Sequence, residues 1–354
     1  MGGTVTKILA IDTSCDETSG AVTEGSRVLS NILWSQASLH SKWGGVVPSL
    51  AKRAHQERIG WVINRALKVS KLTPSEVDAI AVTVGPGLAI ALEVGIQKAK
   101  ELAMKYNKPL ITVNHVEGHI LSVFAETPKH KVNISFPAIA LVLSGKHSDI
   151  VLVKDFGSYE IIAYTIDDAL GEALDKAARM LGLGYPGGAI LEKMAKMGNA
   201  NKYGLPIPMM GKESRFVFSY SGLKSAMWRL VENEKPLTKE KIYDLAASFQ
   251  DKAFKHVERL LIKVLDKYKA SDFLFGGGVS ANLEIRKCIR GLCKERGVKF
   301  HIPYTKNTCG DNAAMIGVAS YFKYKKELFV KPNDLDEVER IPRARVDSLF
   351  PWEH

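Results

Sequence analysis

The chain has 354 residues, 46% apolar and 25% charged, with 49 lysines and arginines against 38 aspartates and glutamates, a formal charge of +11. This composition excludes a disordered chain and a small disulfide scaffold, because a chain of this length can bury about three quarters of its unfolded surface without staples. No stretch reaches the ~18 consecutive apolar residues of a membrane span, and Met1 to Lys7 is too short and polar for a secretory leader. At roughly 150 residues per domain, two domains are expected. Cys15, Cys288, Cys293 and Cys309 form no C-x-x-C pair, so reduced thiols in the cytoplasm or an organelle matrix are expected. The charge fits either a polyanionic partner or a lysine-rich solvated surface.

Taken in order, Lys7 to Asp12 is a short apolar strand that ends at the acidic, hydroxyl-rich turn Thr13 to Thr18. Ser19 to Val22 and Val28 to Trp34 read as two further strands. Leu50 to Val69 has helical spacing and a basic cluster of Lys52, Arg53, Arg58, Arg65 and Lys68. Ala79 to Val84 is a buried strand that stops at Gly85-Pro86-Gly87 and leads into a helix through Tyr106. Leu110 to Val113 is a strand, followed by a helix from His115 to Phe124. Ala138 to Leu143 repeats the opening pattern: strand, polar turn (Ser144 to Ser148), return strand (Ile150 to Val153). Helices are predicted at Asp168 to Leu181, Ala189 to Met197, Gly222 to Val231 and Lys239 to Tyr268. Phe273 to Phe275 is a strand that runs into Gly276-Gly277-Gly278 and a helix from Ala281 to Arg296. A last helix, Asn312 to Tyr324, precedes a charged tail. Two cycles of strands and helices predict an α/β protein of two lobes.

Two constellations can carry chemistry. His115 and His119 stand at i and i+4, so a helix puts both imidazoles on one face, where they suit one metal ion. A zincin helix needs Glu directly after the first His. Val116 sits there, and Glu117 points about 200° away from His115 around the helix, which disfavours a metalloprotease. Asp311 is one candidate for a third ligand, and it reads equally as a helix N-cap. The second constellation is glycine: Gly85-Pro86-Gly87, Gly187-Gly188 and Gly276-Gly277-Gly278 each sit at a strand end or helix start, where a phosphate or base can approach the backbone. None matches a P-loop or a dinucleotide fingerprint. With the turns at Asp12-Thr13-Ser14 and Ser144-Gly145, they suggest a cleft between two lobes that clasps a nucleotide from both sides.

Nine segments then come in a telling order: Asp12-Thr13-Ser14-Cys15-Asp16-Glu17-Thr18, Gly44-Gly45-Val46-Val47-Pro48, Gly85-Pro86-Gly87-Leu88, His115-Val116-Glu117-Gly118-His119, Gly171-Glu172-Ala173-Leu174-Asp175-Lys176, Tyr185-Pro186-Gly187-Gly188, Phe218-Ser219-Tyr220-Ser221-Gly222-Leu223-Lys224, Gly277-Gly278-Val279-Ser280-Ala281-Asn282 and Asp311-Asn312. This series resembles the TsaD family, formerly called O-sialoglycoprotein endopeptidases, from about residue 7 to 325. Tyr185 to Gly188 looks more like its bacterial and organellar branch than its archaeal one.

The resemblance implies two actin-like ATPase (ribonuclease H-like) lobes with a nucleotide and metal cleft between them, divided as 1–112 plus 305–354 and 113–304. It implies transfer of a threonylcarbamoyl group from threonylcarbamoyl-AMP to N6 of adenosine 37 of ANN-decoding tRNAs, with release of AMP. By motif match, His115, His119 and Asp311 hold one divalent metal, iron or zinc, per subunit. The adenylate maps onto Val142, Leu143, Ser144, Gly145, Lys146, Asp175, Gly188 and Asn282, and Asp16 and Glu17 match acids near the reacting centre. Implied partners are tRNA, for which the basic helix 50–69 supplies a surface, and accessory subunits (a pseudo-paralogue and a small ATPase if bacterial) or a second copy in a homodimer. No membrane is involved.

The family turn reads Ser-Gly-Gly-His-Thr where this chain has Ser144-Gly145-Lys146-His147-Ser148. A glycine there serves close approach or a positive φ, and lysine opposes both. Lys146 therefore adds a cation to the phosphate, blocks the site, or is an introduced substitution. The alternative reading is a nucleotide-binding scaffold subunit that Lys146 has disabled. A small-molecule kinase of the same fold is disfavoured, since such enzymes hold magnesium through carboxylates and phosphates rather than a histidine pair.

Overall fold

A computed structural model describes residues 5–127 and 131–353. Residues 1–4, at the head of the segment read as too polar for a leader, lie outside the described residues. Strands β1 (Lys7–Asp12), β2 (Glu17–Glu24), β3 (Arg27–Ser35), β4 (Ala79–Gly85) and β5 (Leu110–Asn114) form one sheet in the order β3-β2-β1-β4-β5. Strands β6 (Ala138–Leu143), β7 (Ser148–Asp155), β8 (Ser158–Thr165), β9 (Val217–Phe218), β10 (Asp272–Gly276) and β11 (Lys299–His301) form a second, ordered β11-β10-β6-β7-β8-β9. Read from β8 to β11, the second sheet repeats the first: two antiparallel hairpin pairs, then two parallel additions. The strands that begin each repeat, β1 and β6, are central and apolar because both faces of each sheet are covered.

The helices are α1 (Ala37–His40), α2 (Pro48–Ser70), α3 (Ala89–Tyr106), α4 (His115–Leu121), α5 (Leu170–Met180), α6 (Gly188–Ala195), α7 (Ser221–Asn233), α8 (Lys239–Lys267), α9 (Leu283–Glu295) and α10 (Ala313–Lys325). They sort into layers by what they cover. Helices α2 and α3 pack on the outer face of the first sheet, with Val62, Ala66, Leu92 and Ile96 against Leu9, Ile11, Ile80 and Val82. Helices α5 to α9 pack on the outer face of the second, against Ile139, Leu141, Phe273 and Phe275. Between the sheets lie α4 and α10, in a core that joins Ile8 and Ala10 of one sheet to Ala138, Ala140 and Val142 of the other. Helix α10 is apolar nearly all round, as a helix sandwiched between sheets must be.

The structure differs from the sequence reading at several places, one of them the short helix α1, which was not expected. Strands β8, β9 and β11 were not predicted: β9 and β11 span two and three residues, too few for a period. The helix predicted to run through Phe124 stops at Leu121 and continues as a 3-10 turn, Ser122–Phe124. The helix predicted from Ala281 is a 3-10 turn, Gly278–Ala281, before α9, whose first amides are capped by Asn282. The charged tail docks on the first lobe: Leu110 and Val330 exchange backbone hydrogen bonds of 2.8 Å, Ile341 N donates to Val84 O at 2.7 Å, and Glu353 pairs with Lys323 at 2.5 Å. No described helix is long and apolar enough to cross a membrane.

Candidate active site

Helix α4 leaves β5 with all seven of its residues buried. Asn114 fixes its start, its Oδ1 accepting from Val116 N at 2.9 Å and Glu117 N at 3.4 Å. One face then presents His115 and His119, with ring centroids 4.7 Å apart and edge-to-face. Glu117 points the other way, as its helical phase dictates. It accepts from Tyr159 OH at 3.0 Å and lies 3.9 Å from Lys323 Nζ, and burial pushes its carboxyl up.

Asp311 reaches the histidine face from the start of α10. Its Oδ1 lies 3.5 Å from His115 Nε2 and 3.2 Å from His119 Nε2. The N-cap reading of Asp311 is wrong: Asn312 caps the helix, accepting from Met315 N at 3.2 Å, and so leaves the aspartate to turn inward. The ligand atoms of His115, His119 and Asp311 all lie within 4.8 Å of one another. Among the described residues, His115 Nδ1 and His119 Nδ1 are buried with no hydrogen-bond partner, and His119 Nε2 has only the Asp311 carboxylate within reach. Buried imidazole nitrogens left without a hydrogen bond are costly, and two imidazoles converging on a carboxylate fit a metal ion. Asp311 keeps 22% of its side chain exposed, so the cluster is open on one side.

The charges of the cluster act on one another. Burial presses His119 down, while at His115 the same burial is outweighed by the Asp311 and Asp12 carboxylates, which raise it. Burial also opposes the charge of Asp311, yet His115 and His119 hold its carboxyl well below the usual range. Asp12, fully buried at the end of β1, stands 3.9 Å from His115 Nδ1 and accepts from Ser14 N and Oγ, both at 3.3 Å. Sequence reasoning assigned Asp12 no role at the metal, because nothing local links the end of β1 to α4.

This open side faces a cleft of about 560 Å³ between the lobes, a size usual for small-molecule sites. The two four-residue hairpin turns, one from each lobe, face it. From the first, Ser14, Cys15 and Asp16 line the cleft, with Glu17 at the start of β2 beside them; from the second, Ser144, Gly145, Lys146 and His147 do. Tyr185 OH donates to Asp16 Oδ2 at 3.3 Å across 169 residues of chain, a contact that no spacing could have shown. Burial, and then the charges of Asp16 and Asp311, push the Glu17 carboxyl well above its usual range.

The remaining predicted residues divide. Asp175 and Gly188 line the cleft wall, with Asp175 Oδ1 accepting from Gly188 N at 2.7 Å. Asn282 lines it too, but its side chain is spent on capping α9 and on donating to Gln250 Oε1 at 3.0 Å. Val142 and Leu143 are fully buried, on opposite faces of β6, and offer the cleft no side chain. The glycine run is mostly a packing device. A Cβ at Gly276 would strike the carbonyl of His119, and Gly277, at φ +86°, has Leu143 against it; Gly278 alone lines the cleft.

Of the two objections to Lys146, that of a positive φ does not hold. Among described residues, only Lys71, Asn107, Met209, Phe216 and Glu327 combine a side chain with a positive φ. The turn therefore accepts a lysine without left-handed backbone strain. In the basic helix α2, Arg53 already pairs with Glu57 at 3.1 Å and Arg58 lies 5.1 Å over the Trp34 ring. None of its residues lines the cleft.

Among solved structures, the chain is similar to full-length HypF in a phosphate- and nucleotide-bound form, with a TM-score of 0.59 and 16% identity, covering 93% of this chain and 56% of that one. It is similar also to component A of the (R)-2-hydroxyglutaryl-CoA dehydratase of Acidaminococcus fermentans, with a TM-score of 0.52 and 15% identity over 90% and 99% of the two chains. At such identities these likenesses show the fold alone, the two-lobed actin-like ATPase architecture. In sequence, the chain is 45% identical over 335 residues to the tRNA N6-adenosine threonylcarbamoyltransferase of Clostridium perfringens, covering 92% of this chain and 97% of the relative. It is 43% identical over 321 residues to the protein of that name from Caldicellulosiruptor bescii, covering 90% and 93%. Residues 27–318 match the family model described as TsaD, tRNA N6-adenosine threonylcarbamoyltransferase. With the cleft, the histidine pair and these matches in agreement, the chain belongs to the TsaD family of tRNA N6-adenosine threonylcarbamoyltransferases.

Proposed function

We propose that this chain transfers the threonylcarbamoyl group of threonylcarbamoyl-AMP to N6 of adenosine 37 in ANN-decoding tRNAs. The observation that supports this best is the convergence of His115, His119 and Asp311 at the open floor of a cleft lined by both hairpin turns. The N6–carbonyl carbon bond forms, the bond from that carbon to the phosphate oxygen breaks, and AMP leaves.

In this reading the proton lost by N6 passes to the Asp16–Glu17 pair, and Glu17 is the member whose proton affinity is raised. Tyr185 orients Asp16 through its hydroxyl. Asp175 and Gly188 hold the nucleoside, while Ser144, Gly145 and Lys146 receive the phosphate. Val142 and Leu143 contribute main chain only, and Asn282 keeps the start of α9 in place at the cleft wall. His115, His119 and Asp311 would hold iron or zinc, which supplies Lewis-acid stabilisation of an oxygen of the donor. The lobes divide as 1–112 plus 305–354 and 113–304. The chain works in the cytoplasm or an organelle matrix, with accessory subunits or as a homodimer. An active enzyme is favoured over a disabled scaffold because Lys146 sits in the turn without left-handed backbone strain.

The test is a single-turnover assay with threonylcarbamoyl-AMP and an unmodified ANN-decoding tRNA, with accessory proteins supplied, beside His119→Ala. Modified adenosine from the native chain is expected. The variant should lose its bound metal, by elemental analysis, and slow on the order of a thousandfold. No product with every partner present would refute the assignment.

A further inference from the structure

A second groove, of about 740 Å³, opens between α5 and α7. Lys176 and Arg179 of α5 border both this groove and the cleft. The far wall is Lys224, Trp228 and Arg229 of α7; Lys224 and Trp228 share a face by their i, i+4 spacing, and Arg229 flanks it about 100° further round. Two of the four cations are already matched: Lys176 pairs with Asp168 at 2.9 Å and Glu172 at 2.8 Å, and Lys224 also pairs with Asp168. Among the described residues neither Arg179 nor Arg229 has an ion-pair partner within 4.0 Å, although the Arg179 charge reaches the Asp175 carboxylate, and both are exposed. Trp228 leaves 55% of its surface in solvent, although α7 buries Leu223, Met227 and Val231 behind it. An exposed indole beside the Arg229 guanidinium, which has no ion-pair partner among the described residues, is an unfilled surface. It is a good one for an unpaired nucleic-acid strand, which offers phosphates to the cations and base faces to the ring.

Resting on the function proposed above, we propose that the α5–α7 groove is where the substrate tRNA docks its single-stranded loop, with one base stacked on Trp228 and a phosphate on Arg229. Continuity is the second argument. A strand lying in this groove passes Arg179 and Lys176 straight into the cleft, whereas α2, the more basic helix in sequence, lends the cleft no residue.

The test is tRNA binding, by fluorescence anisotropy at several salt concentrations, to the full chain with its accessory proteins. The variants are Trp228→Ala and Arg229→Ala, neither of which lines the cleft, with AMP binding as the control. Trp228→Ala should weaken tRNA binding about tenfold at unchanged AMP affinity. Arg229→Ala should weaken it and lower the salt slope by about one. Replacing Trp228 by Phe should restore most of the lost affinity, which a merely structural role for the indole would not predict. Unchanged tRNA affinity in both alanine variants, while the native chain still modifies tRNA, would overturn the groove and leave the function standing. The same result with an accessory protein lost would assign the groove to that protein instead. A native chain that neither binds nor modifies tRNA would overturn both.

Discussion

The two hairpin turns of the cleft are copies in topology and opposites in charge. Each joins the central strand of its sheet to an antiparallel neighbour through four residues, Thr13 to Asp16 in the first lobe and Ser144 to His147 in the second. The first carries Asp16, with Asp12 before it and Glu17 after. The second carries Lys146 and His147, with a serine and a glycine before them. The strand order decides that both turns arrive at one cleft; the side chains decide that one wall is acidic and the other basic. The reaction proposed above would use this difference: cations and amides on the phosphate side, carboxylates on the side that must accept a proton.

The sharpest way to break this division is to neutralise the acidic turn. Asp16→Asn keeps the shape and should cut single-turnover transfer about 10²–10³-fold with donor affinity nearly unchanged. An equal loss in donor affinity would instead make Asp16 a binding group.

The next prediction asks whether positive charge in the second lobe is confined to the cleft. His256 is buried on α8, accepts from Ser219 N at 3.3 Å, and is lowered by burial to about 4, the Glu213 and Asp167 charges being too weak to reverse this. Its folded value lies below its unfolded one, so the unfolded chain takes the proton first. Stability is full above about pH 6.5 and falls as pH drops toward 4, by up to about 3 kcal/mol. Denaturant titrations across that range should show the loss in the native chain and a flatter profile in His256→Gln. Parallel profiles would mean that His256 titrates normally.

Lys146→Gly is the smallest effect. If the basic turn serves the phosphate, the variant should raise the donor KM about tenfold at low salt and leave kcat within a few-fold. A variant faster than the native chain would show that the lysine obstructs the turn.

The elements legible in the sequence are those with long, regular periods. Helices α2, α3 and α8 and strands β1, β4 and β6 fall within a few residues of expectation. Edge strands β9 and β11 are too short to carry a period, and the partner that makes each a strand lies far along the chain. The site shows the same limit. Asp16, Glu17 and Lys146 were visible because turns gather charged residues locally, and the resemblance to a family placed Asp311 where composition could not. The contribution of Tyr185 to Asp16 had no local signal at all.

By itself, then, the sequence determined that two imidazoles share a helix face, since a separation of four residues fixes their geometry within about one turn. It determined that two hairpin turns would be polar, one acidic and one basic. Only the tertiary structure decided that these groups meet. Asn312 takes the helix cap and so frees Asp311. Helices α4 and α10 are held between two sheets, which sets the carboxylate against the histidines. The repeated strand order aims both turns into one space. Helical and strand periods act over a few residues, but convergence depends on how layers stack, and that is settled by burial across the whole chain.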